Sequence, residues 1–339
     1  MFVYLGPLLV LASVPAFFGL LGPAGPLLTI ALLLLFLIGS EWITQRGPAP
    51  APRPMIAMYR ALPVIYIPLQ LAATVWGIDA ASRAPLIGYL SLLLAIGVTT
   101  GVFGVLCAHE LVHGKSRAGR AWGGVMLTGM CYRHFRVAHI HGHHRYAGTE
   151  RDSATARLGE SFYAFLVRTV AGQFMEAWRH ERARTKAQHR SALGNRVYGD
   201  IAVMAAIFAA IFAAWGWRGD LFFAGQSAVG VIVLELFNYI AHYGLARRIG
   251  ARGLAEPFDD RHSWNSSNVL ANTLIFNMGR HSDHHRRPTA SYQQLHYKSA
   301  APELPAGYAG SILLALVPPL WRRVMDPAVR AIRAEPLPV

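Results

Sequence analysis

Apolar positions dominate the first hundred residues in long, nearly unbroken runs. They show neither the two-residue alternation of a half-buried strand nor the narrow stripe of a surface helix. Six runs reach or approach the roughly 20 apolar residues that a helix needs to cross a bilayer: about 2–21, 24–42, 61–81, 85–108, 197–216 and 221–243. Buried helices of a soluble protein would be shorter and would keep a polar face. The pattern therefore predicts an all-α integral membrane protein built on a six-helix transmembrane bundle. The first run lacks a basic leading segment and a clear small-residue cleavage site, so it is expected as a span rather than a signal peptide.

Polar positions collect in two segments, 109–196 and 244–339. In the first, "GESFYAFLVRTVAGQFMEAWRHERARTKAQ" (159–188) carries apolar and aromatic residues at helical spacing and ends basic. It predicts an amphipathic helix along the membrane face. In the second, "GSILLALVPPLWRRV" (310–324) is too short before its Pro–Pro to span, and is expected at the interface with Trp321, Arg322 and Arg323 among the headgroups. "RGPAPAPRP" (46–54) reads as an extended loop. Neither polar segment holds a hydrophobic set large enough for its own core. Residues 1–339 thus read as a single membrane-embedded domain with a histidine-rich cap.

Charge orients this bundle. Hydrophobic residues make up 53% of the 339 positions and charged ones 15%, against about 25% charged in a typical soluble domain. The link "GPAG" is uncharged, the next carries Arg46, Arg53 and Arg60, and Asp79 and Arg83 cancel in the third. Lys115, Arg117 and Arg120 follow the fourth span, "WRGD" (217–220) is neutral, and the region beyond the sixth span is basic again. Positive residues mark the cytoplasmic side, so both termini and both polar segments are expected there. The net charge of +14 also suits anionic lipid headgroups. No nucleic-acid motif accompanies it. Cys107 and Cys131 form no CxxC pair, which excludes a cysteine-ligated zinc or iron–sulfur module; they read as small apolar packers.

The remaining anomaly is histidine, present 15 times. "HELVH" (109–113) places His109 and His113 four apart, on one face of a helix. "HIHGHH" (139–144), His242 at the end of the sixth span, and "GRHSDHH" (279–285) follow. All four map to one end of the bundle. Adjacent imidazoles gain nothing structurally, and neutral imidazole is the commonest metal ligand, so the pattern predicts a metal centre. The candidates are His109, His113, His139, His143, His144, His242, His281, His284 and His285. Nine exceed the three or four ligands of a zinc site, so two metals are needed. His134, His141, His180, His189, His262 and His296 stand outside this set. Glu110 and Asp283, embedded in two of the boxes, are candidates to accept hydrogen bonds from ligand rings.

Ligand type alone leaves iron, zinc, copper and nickel open. An intramembrane zinc protease would use "HELVH" with Glu110 as general base but leaves the other boxes unexplained. A metal transporter would place its site near the midplane. A non-haem diiron oxygenase uses all nine histidines and lets an apolar substrate arrive from the bilayer.

The order and spacing of "HELVH", "HIHGHH", "ARLGESFYAF" (156–165), "NYIAHYGL" (238–245) and "GRHSDHH" resemble those of the membrane-bound alkane 1-monooxygenases. These form part of the wider membrane fatty acid desaturase and hydroxylase superfamily. The resemblance covers roughly residues 60–300. "NYIAHYGL" carries most weight, because plain desaturases share histidine boxes but generally not this one. The resemblance implies six spans in a bacterial inner membrane, with the nine histidines binding two irons at the cytoplasmic ends. It implies dioxygen as co-substrate, hydroxylation of a terminal methyl, and electrons from a rubredoxin served by a flavin reductase. A fatty-acid desaturase or hydroxylase is the neighbouring alternative. Ala138 and Ala241 stand where the family usually has Glu, Gly114 follows the first box in place of Lys, and Met278 and Gly279 replace "LQ".

Overall fold

Lipid offers no partner to a backbone N–H or C=O, so an apolar run in a membrane must satisfy these groups within itself. The computed structural model describes residues 4–43, 57–250 and 253–334, and its apolar runs are helical. The proline-rich stretch 46–54, with Arg46 and Arg53, lies outside the described residues. Among those residues there is no strand, only the isolated bridges Ile249–Ala255 and Asn265–Glu303. The apolar helices are α1 (Gly6–Leu21), α2 (Pro26–Ile43), α3 (Ala57–Arg83), α4 (Leu86–His113) and, further on, Arg196–His242. Three of them are long and apolar enough to cross a membrane, from Tyr59 to Arg83, Leu86 to His113 and Arg196 to His242.

Between α4 and the last of these lie α5 (Arg117–Thr128), a broken helical stretch at 135–146, and α6 (Phe162–Ala187). Arg196–His242 is α7. It is not one straight rod, because Gly216 takes φ 64° and ψ −164°, a conformation open to glycine at no steric cost. Phe208 and Phe223 then meet with ring centroids 5.3 Å apart, whereas fifteen residues of straight helix would separate them by about 22 Å. The chain reverses into two antiparallel arms. The turn comes one residue before "WRGD", whose residues are already helical. At the same end of the bundle Asp79 accepts from Arg83 at 2.6 Å and from Trp215 Nε1 at 3.0 Å.

Close approach of α4 to the second arm of α7 sets the depth of the site. A Cβ at Gly97 would sit 2.5 Å from the Val229 Cβ, and one at Gly101 2.7 Å from the Gly230 carbonyl oxygen. Small residues four apart let membrane helices pack this tightly. In the same region α4 passes through a π-helical turn, Thr100–Gly104, and buried polar groups tie three helices together. Tyr66 donates to Gln70 Oε1 at 2.9 Å, Gln70 Nε2 donates to Thr100 Oγ1 at 2.9 Å, and Thr100 donates to Gln226 Oε1 at 3.3 Å. Gly101→Ala is therefore expected to cost about 1–3 kcal/mol through overpacking. It should lower both the detergent unfolding midpoint and the metal content per chain, read on the same sample.

α6 forms where the sequence predicts it, capped by Ser161, whose hydroxyl accepts from the Ala164 N–H. Its stripe Phe162, Phe165, Thr169, Gln173, Ala177 and Glu181 is buried. After α7 come two short helices, α8 (Val269–Leu274) and α9 (His281–Arg286), then α10 (Gly307–Ala315) and α11 (Pro318–Ala334). Here the expectation for Trp321 fails. Arg322 and Arg323 are exposed, but Trp321 is fully buried between Tyr239 and Tyr243, at centroid distances of 5.5 and 5.2 Å. The reason is helical period: Trp321, Met325 and Val329, four apart, form one inward stripe on α11.

Candidate metal centre

Four elements deliver histidines to one point. α4 ends in His109 and His113, α7 ends in His242, the 135–146 stretch carries three more, and α9 carries His281, His284 and His285. The structure sorts the nine candidates into two groups. His109, His113, His139, His144 and His284 form one, and His143, His242, His281 and His285 the other. Within each group one ligand atom per residue lies within 4.8 Å of every other. The groups adjoin, with the His144 and His285 ring centroids 4.5 Å apart.

The sorting does not follow the boxes. Ala138–His143 is π-helical, so residues five apart, rather than four, fall on the same face. His139 therefore pairs with His144, their Nε2 atoms 3.0 Å apart, while His143 turns to the other group. In α9 the ordinary period holds: His281 and His285, four apart, face one group at 3.1 Å, and His284 faces the other.

The spacing fits a cation. Imidazole nitrogens sit about 2.1 Å from a bound metal, so two at right angles would be about 3.0 Å apart. His113 and His139 approach to 3.0 Å, His144 and His284 to 3.2 Å, and His242 and His281 to 3.2 Å, each pair through Nε2. Lone pairs converging at this distance need a proton or a positive ion between them. Burial and neighbouring imidazoles hold the protonation of His139, His144, His281, His284 and His285 well below its ordinary range. The rings are neutral, the form that binds metal.

His143 differs. Its Nδ1–H donates to Asp152 Oδ2 at 2.8 Å, and its Nε2 is buried without a hydrogen-bond partner. Burial is the largest influence and would lower its pKa, but the Asp152, Glu176 and Glu235 carboxylates together outweigh it and raise the pKa. Asp152 is itself held by the Thr155 hydroxyl at 2.7 Å and the Ala154 N–H at 3.0 Å. This carboxylate fixes the His143 tautomer with Nε2 free toward the site, and no local pattern in the sequence marks it. Glu110 accepts instead from the Tyr292 backbone N–H at 3.2 Å. Asp283 takes up Arg287, Lys298 at 3.3 Å and the His296 N–H at 2.8 Å, which ties α9 to the segment after it. Asn265 does the same from the other side, accepting from the Ser282 N–H at 3.0 Å and donating to its hydroxyl at 2.8 Å.

The six histidines left out of the candidate set lie outside both groups. His141 stacks on His180, with centroids 4.1 Å apart, and His262 contacts Glu256 at 3.0 Å. His109, His139 and His281 border a narrow cavity that is otherwise mostly apolar, walled by Leu106, Leu234 and Ala241 among others.

Comparison with known proteins agrees with this architecture. Residues 84–312 match the fatty acid desaturase family. Alkane 1-monooxygenases 2 and 1 of Pseudomonas aeruginosa are each 40% identical over 278 residues, covering 80% of this chain and 74% and 73% of theirs. Alkane 1-monooxygenase 2 of Alcanivorax borkumensis is 39% identical over 249 residues, 73% of this chain and 65% of its own. With its histidines gathered at the helix ends and its sequence shared over four-fifths of its length, this integral membrane chain belongs to the alkane 1-monooxygenases of the fatty acid desaturase superfamily.

Proposed function

We propose that the protein hydroxylates the terminal methyl of an alkane or similar apolar chain, using two irons, dioxygen and electrons from a separate rubredoxin-type donor. The observation that carries this reading is the convergence of nine histidines on two adjoining metal-sized groups beside an apolar cavity. His109, His113, His139, His144 and His284 would hold one iron; His143, His242, His281 and His285 would hold the other. Bound iron supplies the activation of dioxygen that attack on an unactivated C–H bond requires. The chain's residues do the rest. Leu106, Leu234 and Ala241 exclude water and hold a methyl beside His109, His139 and His281, so orientation supplies regioselectivity. Asp152 keeps His143 in the tautomer that binds metal.

The whole chain is read as one domain of six spans, α7 contributing two, in a bacterial inner membrane. The metal site and both termini face the cytoplasm. Arg145, Arg151, Arg157, Arg247 and Arg333 line a cavity of about 950 Å³ that Asp152 also borders. An acidic donor protein would dock there, steered by charge. Its turnover with the enzyme is expected to fall several-fold between about 0.01 and 0.15 M salt, as the screening length shortens from about 30 to 8 Å. Salt-insensitive turnover would remove this docking face.

The decisive experiment is elemental analysis of detergent-purified protein expressed with iron and zinc both available, followed by assay on n-alkanes with rubredoxin and reductase. Two irons per chain and a primary alcohol product are expected. One zinc without iron would falsify the oxygenase reading.

A further inference from the structure

A second cavity lies beside the one at the histidines. Its volume is about 200 Å³ and its wall is almost wholly apolar, with Leu33 and Leu37 from α2, Val98 from α4, Leu236 from α7, Ile275 beyond α8 and Ile312 from α10. At its rim Leu313 is 42% exposed, so the chamber borders the surface near the exposed apolar side chains Leu316 and Val317. It shares three residues with the inner cavity: Val102, Phe237 and Tyr308. The Phe237 and Tyr308 rings stack with centroids 5.3 Å apart and planes 27° from parallel. Tyr308 is 5% exposed and follows Gly307, where a Cβ would lie 2.0 Å from Glu41 of α2. The positive φ of 58° at Gly307 and this contact fix where α10 begins, and with it the Tyr308 ring.

We propose that the Phe237–Tyr308 pair is a specificity-determining partition between an outer chamber that holds the body of an apolar chain and an inner one that admits only its end. This deepens the hydroxylase reading and rests on it. An alkyl chain gives an enzyme no polar handle, so selection among chain lengths and among carbons must come from shape. A flat, stacked aromatic pair passes a narrow unbranched end and resists a branched one. It also limits how many carbons can advance past it toward His109, His139 and His281.

The test uses the full-length chain in membranes, supplied with rubredoxin and reductase and given n-alkanes of increasing length together with branched isomers. Phe237→Ala is expected to merge the chambers. The ratio of terminal to subterminal alcohol should fall about tenfold and branched substrates should gain, effects of the size that one misplaced contact produces. Phe237→Trp should shift preference toward shorter chains. Val167→Ala, on the exposed face of α6 and outside both chambers, should leave the profile unchanged. An alkane bearing a terminal diazirine, photolysed in the same membranes, reads occupancy without turnover: adducts are expected on peptides around Leu234–Ala241 and Leu33–Leu37. Oxidation by the wild type with an unchanged length profile and alcohol ratio in both Phe237 variants overturns the partition. Photolabelling of both chambers in a wild type that oxidises no hydrocarbon supports the partition as a binding device and instead sinks the hydroxylase reading. Adducts confined to peptides outside both chambers overturn it as well.

Discussion

A chain carrying His281→Ala is expected to purify with one of its two metal positions empty and without hydroxylase activity. His281 belongs to the smaller group, so its loss leaves His143, His242 and His285 alone. Binding free energies of about 10–16 kcal/mol for four-ligand sites imply roughly 3 kcal/mol for each ligand, and hence an affinity loss of about a hundredfold or more. His284→Ala removes one of five and leaves four, so that variant should keep more metal than His281→Ala. The control is His296→Ala, whose ring is exposed and outside both groups; metal content and turnover should match the wild type. Metal analysis reads this ranking whether or not a substrate is known. Loss of metal in the His296 variant with full retention in the His281 variant would reverse the ligand assignment.

The second large effect is expected at Asp152. It is 2% exposed and touches the site through His143. Asp152→Asn keeps the shape but removes the charge that holds Nδ1 protonated, and the amide can present either an oxygen or an NH₂ to the ring. Carboxylates supporting metal-bound histidines are worth about 10–100-fold in affinity or activity. The Asn variant should sit at the lower end of that range and Asp152→Ala at the upper end. Titration of the apo protein with ferrous iron separates the outcomes: a weakened second equivalent with an unaltered first is the expected result. Equal weakening of both, or of neither, would mean that Asp152 only braces the loop.

Local periodicity explains what the sequence made legible. Long apolar runs announced the helices, and eight of the nine site histidines pair by i, i+4 spacing or direct adjacency. His242 stands alone in its helix; its place at the end of the sixth span brought it into the set, and the resemblance of "NYIAHYGL" to a known box added weight. The division into five and four was not legible. It depends on a π-helical turn at Ala138–His143, and nothing in "AHIHGH" marks a departure from the α period. Asp152 was missed because it meets His143 across a turn rather than along a helix face, and Asn265 because its clamp on Ser282 spans seventeen residues. Trp321 was misplaced because the tryptophan next to two arginines matched an interfacial anchor, while the stripe with Met325 and Val329 was overlooked.

The π-helical turn also says what kinds of sequence change the centre can survive. Substitutions on its outer face, such as at exposed His141, leave the backbone path alone. Relaxing the turn to the α period at unchanged length would leave His144 five residues from His139 on a helix whose faces repeat every four. That would place His144 about 140° off the His139 face and hand a metal the wrong imidazole, whereas deleting one residue at the same time would restore the pair at i, i+4. Homologues that keep the π-helical turn should therefore keep its length, and a one-residue gap there should appear only where the α period has returned.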